Sequence, residues 1–183
     1  MQQIYLDNAA TTPVRPEVEE VMQPYFCEKY GNPSGIYKMA SECRQALETV
    51  RKQIGKMLKV SAEEIYFTSG GTESDNWAIK STAQRLKEKG KHIITSKIEH
   101  HAVLNSCAYL ETQGFEVTYL DVDEWGCVRF DALQRAIRKD TILISIMYAN
   151  NEVGTIQPIG QIGKIAKEND IFFHTDAVQA YGQ

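Results

Sequence analysis

Apolar residues recur at spacings of three and four over residues 37–59, where Ala40, Cys43, Leu47, Val50, Ile54 and Met57 fall on one stripe of a helix. The stripe lasts only two to three heptads, which predicts a helix packed on a core rather than a coiled coil. Further helical patterns cover 15–27, 73–88, 101–113, 130–138 and 158–169. Between them lie short β-branched or aromatic runs, Glu64–Thr68, His92–Ser96, Glu116–Leu120, Thr141–Tyr148 and Ile171–Thr175, each bounded by polar or glycine-containing turns and predicted as strands. Strands that alternate with helices imply β-α-β crossovers, hence an α/β fold with a mostly parallel sheet covered on both faces, a three-layer α/β/α arrangement. No repeat, low-complexity tract or linker interrupts the alternation, and residues 1–183 read as a single domain. Ligands of such sheets bind at the carboxyl ends of the strands, so the chemistry is to be sought there.

Composition narrows the class. With 183 residues, 43% hydrophobic and 24% charged, the chain can fill an ordinary core and lies outside the disordered classes. The longest apolar runs, such as Ile142–Met147, are too short to span a bilayer, so no membrane partner is expected. The start, from Met1 to Asp7, has neither a basic segment nor an apolar stretch followed by small residues, and the expectation is a cytoplasmic location. Net charge −4 with scattered basic residues argues against non-specific nucleic-acid binding, which needs clustered Lys and Arg. Cys27, Cys43, Cys107 and Cys127 form no Cys-x-x-Cys pair, so no metal site is expected and the four read as free thiols, mostly small apolar fillers.

Four strand ends carry polar groups beyond the needs of a turn. The run Ile65–Ser69 leads into Gly70-Gly71 and then Thr72-Glu73-Ser74-Asp75-Asn76, which opens a helix. Two glycines let the backbone approach an anion, first-turn amides point at it, and Thr72 adds a hydroxyl and a helix cap. The alternative is a plain turn whose acids favour the helix dipole. The segment lacks a Walker lysine and a dinucleotide fingerprint. A second strand leads through Lys97-Ile-Glu99 to His100-His101, the last ends in His174-Thr-Asp176 with Gln179 beyond, and the Ile142–Met147 run stops at Tyr148-Ala-Asn150-Asn151-Glu152-Val-Gly154. Singly, His100 reads as well as a structural histidine and Asp176 as a helix cap. Together they set an imidazole that can stack, a carboxylate, an amide pair and an anion cradle at one sheet edge. That set suits a planar, phosphorylated heteroaromatic cofactor such as pyridoxal 5'-phosphate, whose pyridine nitrogen needs a carboxylate to stay protonated.

These motifs carry a family resemblance. Tyr5-Leu-Asp-Asn-Ala-Ala-Thr-Thr-Pro13, Tyr30-Gly-Asn-Pro-Ser34, Phe67-Thr-Ser-Gly-Gly-Thr-Glu-Ser-Asp-Asn76, Ile94-Thr-Ser-Lys-Ile-Glu-His100, Asn150-Asn-Glu-Val-Gly154 and His174-Thr-Asp-Ala-Val-Gln179 stand in the order of the NifS-like cysteine desulfurases, class V aminotransferase relatives with the PLP-dependent transferase fold. The chain resembles the N-terminal part of their large, cofactor-binding domain. The resemblance implies that Gly71 and Thr72 hold the phosphate, that His100 stacks on the ring and shuttles protons, that Asn151 and Gln179 meet the ring hydroxyl edge, and that Asp176 meets the ring nitrogen. It also implies L-cysteine as substrate, L-alanine and an enzyme persulfide as products, and a sulfur acceptor such as an iron–sulfur scaffold or a tRNA-thiolation partner. Full-length members are homodimers.

Four departures qualify what is carried over. The family's Schiff-base lysine, in a Ser-x-His-Lys context, and its mobile nucleophilic cysteine lie in the C-terminal half beyond Gln183, so these 183 residues alone are expected not to complete turnover. Lys97 matches a non-catalytic position and is expected at the surface, and none of the four cysteines inherits the nucleophile's role. Tyr37 stands where a histidine is common, and Gln183 where a lysine often follows the glycine. Other readings of the same motifs are a selenocysteine lyase, an aminotransferase, or a non-catalytic truncated or split relative.

Overall fold

Four of the β-branched runs pair into one parallel sheet of order β2-β1-β3-β4, with β1 His92–Ser96, β2 Glu116–Leu120, β3 Thr141–Ser145 and β4 Phe172–His174. The structure, a computed structural model, describes residues 4–182, so Gln183 lies outside the described residues. The chain divides into two units, one reaching to Phe67 and one beginning at Thr68.

In the second unit the sheet alternates with α3 Gly71–Leu86, α4 His101–Thr112, α5 Phe130–Ala136 and α6 Ile159–Glu168, and the two faces bury different sets. Ile93 and Leu143 face α3 and α4 among Ile79, Val103, Cys107 and Leu110, while the next residues along, Ile94 and Ile144, face α5 and α6 among Leu133, Ile162 and Ala166. Successive side chains of a strand point to opposite faces, so the unbroken apolar run Ile142–Ile144 fills both layers at once. The expected three-layer α/β/α arrangement is thus present. The registers Thr95↔Ser145 and Ser145↔His174 bring the ends of β1, β3 and β4 to one edge of the sheet. β3 stops three residues short of its predicted end, but Ile146 N still donates to His174 O (3.1 Å) and Tyr148 N to Asp176 O (2.8 Å). Those bonds hold the two chain segments together past the strands, where the functional residues lie.

The first unit contains α1 Pro16–Cys27, α2 Lys38–Leu58 and a 3-10 turn at Ala62–Glu64. Ala40 and Cys43 of the predicted stripe are buried and Ile54 is half-buried, whereas Leu47, Val50 and Met57 are exposed. The strand predicted at Glu64–Thr68 is not formed. Glu64 is drawn into a capping box, its carboxylate accepting from Ser61 N (2.8 Å), and Ile65 is extended at φ −95°, ψ 121°. β-Branched and aromatic residues favour extended backbone, but a ladder needs a partner, and none of the described strands pairs with this segment.

Candidate functional site

Every residue singled out at the strand ends belongs to the second unit. The turn into α3 begins at Gly70, which is extended and supplies the N-cap position without a side-chain bond, so Thr72 is not the cap expected of it; it lies exposed within the first turn. The stabilising side chain comes instead from Glu73, whose Oε2 accepts from Ser69 N and Ser69 Oγ, both at 2.7 Å. Those bonds hold the Glu73 carboxyl below its ordinary range. The first amides of α3 remain available to an outside acceptor. A Cβ on Gly71 would stand 2.6 Å from Val178 Cγ2, so the segment after Asp176 closes on the cradle at a point where only glycine fits the present arrangement.

His100 ends the β1–α4 turn and caps α4. Its Nδ1 accepts from Ala102 N at 3.1 Å, which leaves the exposed Nε2 as the proton-bearing nitrogen of the neutral ring. The structural and functional readings of this histidine are therefore compatible. His100 and Asn151 line one cavity of about 300 Å³, with Lys97, His101 and Glu152 also at its wall. The two adjacent asparagines divide their work. Buried Asn150 donates to Ile98 O (2.9 Å) and accepts from Glu152 N and Val153 N, pinning the turn, while Asn151 is half-buried at the cavity. Lys97 is exposed and paired with Asp121 at 2.6 Å, as expected of a surface lysine.

Asp176 is 8% exposed, and its Oδ1 accepts from Val178 N at 3.0 Å at the start of a hydrogen-bonded turn. Gln179 follows in that turn, exposed. Two acids that sequence reasoning left unassigned share the neighbourhood of Asp176. Asp75, 4% exposed on the buried stripe with Ile79 and Ala83, is pushed up to about 7 by burial and then by the charge of Asp176. Glu99, 5% exposed, is likewise pushed up to about 7, chiefly by burial. His174 Nε2 stands 3.5 Å from Asp75 Oδ1, and Nδ1 lies 2.9 Å from Ser145 Oγ. Burial lowers the imidazole as it raises the carboxyl, so it disfavours the ion-paired form of this contact. Spacing could have found Asp75: it stands four residues before Ile79 on an amphipathic helix.

Cys43 and Cys107 are buried, Cys127 is half-buried and Cys27 exposed, all as free thiols; burial pushes the Cys107 thiol up to about 12, which makes it inert. Among the described residues no cluster of His, Cys, Asp or Glu could hold a metal, and no helix is long and apolar enough to cross a membrane.

The chain is 64% identical over 179 residues to "Cysteine desulfurase IscS" of Methanosarcina thermophila, a match covering 98% of this chain and 44% of that protein. Among solved structures it superposes on a "NifS-like protein" with a TM-score of 0.94 at 44% identity, covering 98% of this chain and 50% of that one. It superposes on "SspA in complex with cysteine" with a TM-score of 0.92 at 45% identity, covering 97% and 51%. The chain thus spans about half the length of the relatives it matches. Residues 4–183 match the family described as aminotransferase class-V, and the chain belongs to that family.

Proposed function

We propose that this chain is the cofactor-binding part of a pyridoxal 5'-phosphate-dependent cysteine desulfurase. The observation that carries the reading is the closure of the Asp176–Val178 turn on Gly71, which sets a buried carboxylate beside a glycine cradle at the start of a helix. The donor set fits the cofactor: first-turn amides and Thr72 for a phosphate, and a carboxylate with one oxygen held by Val178 N and the other meeting no donor among the described residues. Pyridoxal 5'-phosphate, when bound, supplies a protonated ring that withdraws electrons from a substrate amino acid. The chain's own residues would hold and orient it. Asp176 would keep the ring nitrogen protonated, His100 would stack on the ring with its Nδ1 fixed by Ala102 N, and Asn151 and Gln179 would offer amides to the hydroxyl edge.

The same reading gives L-cysteine as substrate, supported by the names of the relatives and by the cysteine-bound neighbour. Sulfur passes to an acceptor such as an iron–sulfur scaffold, the full-length protein is a homodimer, and its location is cytoplasmic. The test is a titration of the purified chain with pyridoxal 5'-phosphate, followed by absorbance, in competition with inorganic phosphate. Saturable one-to-one binding, relieved by phosphate, is the expected result; binding no tighter than that of pyridoxal without its phosphate would sink the reading.

Gly71→Ala provides a second check. Its methyl must displace the Val178 side chain, which is exposed and can move, so the fold should keep its stability to within about 1 kcal/mol. The cradle should narrow and weaken pyridoxal 5'-phosphate binding roughly tenfold, about 1.4 kcal/mol. Thermal unfolding and the same titration separate the two effects.

A further inference from the structure

Glu99 makes connections that the proposed chemistry does not account for. It stands next to His100, and its Oε1 accepts both from Ser96 Oγ at the end of β1 (2.5 Å) and from Met147 N just past β3 (3.1 Å). Its Oε2 is buried and has no partner. A carboxylate oxygen left unpaired in the interior is costly, whereas a carboxylic acid keeps Oε1 as the acceptor and places its proton on Oε2. The groups whose charges act on it are Asp75 from α3, Asp176 after β4 and Cys107 from α4, while Lys97, His100, His101 and Glu152 line the same cavity, Lys97 being paired with Asp121. Asp75 and Asp176 oppose a further negative charge, and burial acts in the same direction.

We propose that Glu99 is a positioning residue that, as a neutral acid, ties the β1–α4 turn to the end of β3 and so fixes His100 at the wall of the cavity it shares with Asn151. The link is short. Ser96, Glu99 and Met147 form one hydrogen-bonded bridge, and Asn150 reinforces it by donating to Ile98 O, so the turn carrying His100 is fastened to the turn carrying Asn151. His100 then needs no rearrangement when a planar ring arrives, which is how a supporting residue contributes to binding without touching the ligand. The neutral acid also leaves Asp176 as the one buried carboxylate whose charge is matched by a cationic ring nitrogen.

This inference rests on the proposed cofactor, but its first readout does not. With four histidines in the chain, long-range nitrogen–proton NMR of the imidazoles reports the His100 tautomer on the ligand-free protein. Glu99→Ala should abolish the fixed Nδ1-acceptor signature of His100 and raise the dissociation constant for pyridoxal 5'-phosphate about tenfold. Glu99→Gln, neutral and of the same shape, should keep both close to wild type. A His100 signature unchanged in the alanine variant, or lost in the glutamine variant, overturns the proposal. Should Glu99→Ala fail to fold, the Glu99→Gln spectrum and Ser96→Ala decide it, the latter being expected to loosen His100 partially. If wild type binds no pyridoxal 5'-phosphate, the cofactor reading fails while the His100 spectra still judge Glu99.

Discussion

Asp176→Asn is expected to raise the dissociation constant for pyridoxal 5'-phosphate by roughly 10- to 100-fold, the equivalent of the 1.5–3 kcal/mol of a hydrogen bond to a charged group. Asparagine keeps an oxygen for Val178 N, so the turn against Gly71 survives and the loss is electrostatic. A second consequence lies inside the protein. Asp176 is among the charges that push Asp75 and Glu99 up, so removing its charge should let both acids titrate lower. The binding curve and the carboxyl titration, followed by carbon NMR, thus report the same substitution from opposite sides of one residue. Unchanged affinity accompanied by the carboxyl shift would show that the ring nitrogen does not meet Asp176; no shift of either kind would remove Asp176 from the cluster altogether.

Much of the second unit was legible because its signals are local. The alternation of β-branched runs with periodic helices predicted β1 to β4 and α3 to α6 to within three residues at their ends. The Glu64–Thr68 run shows the limit: its residues are of strand type and Ile65 is extended, but pairing is a property of the partner. Gly71, His100, Asn151 and Asp176 draw notice in the sequence because glycines and polar groups at strand ends stand out against apolar runs. The cap of α3 was misread for the opposite reason, since a hydroxyl residue after a glycine pair resembles an N-cap, while the stabilising bond came from Glu73 reaching back to Ser69. Asp75 and Glu99 stayed hidden. Asp75 sits in a run of first-turn polar residues that reads as solvated, and only its place above Ile79 reveals burial; Glu99 is buried by the tertiary approach of Met147, forty-eight residues away.

Glu99→Gln should also make the protein more stable than wild type at pH 8, by roughly 1–3 kcal/mol, and nearly equal to it near pH 4.5. The sign follows from linkage. The Glu99 carboxyl moves from an ordinary 4.5 up to about 7 in the fold, so between those values the folded state holds a proton that the unfolded chain has released. Stability is therefore fully present below pH 4.5 and is lost as pH rises through about 7, roughly 3 kcal/mol for this one group. Glutamine carries no charge to bury, though its Nε2 meets no acceptor where Oε2 now has no partner, which trims the gain. His92 and His174 act the other way. Burial lowers both, so the unfolded chain takes up protons first; their contribution is present above pH 6.5 and is lost as pH falls below it. His92 is held neutral between Thr141 Oγ1 (2.7 Å) and Thr118 Oγ1 (2.8 Å). Wild-type stability alone would mix these opposing trends, together with that of Asp75, which moves as Glu99 does. The difference between wild type and Glu99→Gln cancels the groups that do not interact with Glu99, so urea unfolding of both proteins from pH 4.5 to pH 8 reads the Glu99 proton together with its coupling to Asp75. A variant less stable than wild type by the same amount at every pH would mean that Glu99 is ionised in the fold, and that Oε2 is held as an anion by a donor its present surroundings do not supply.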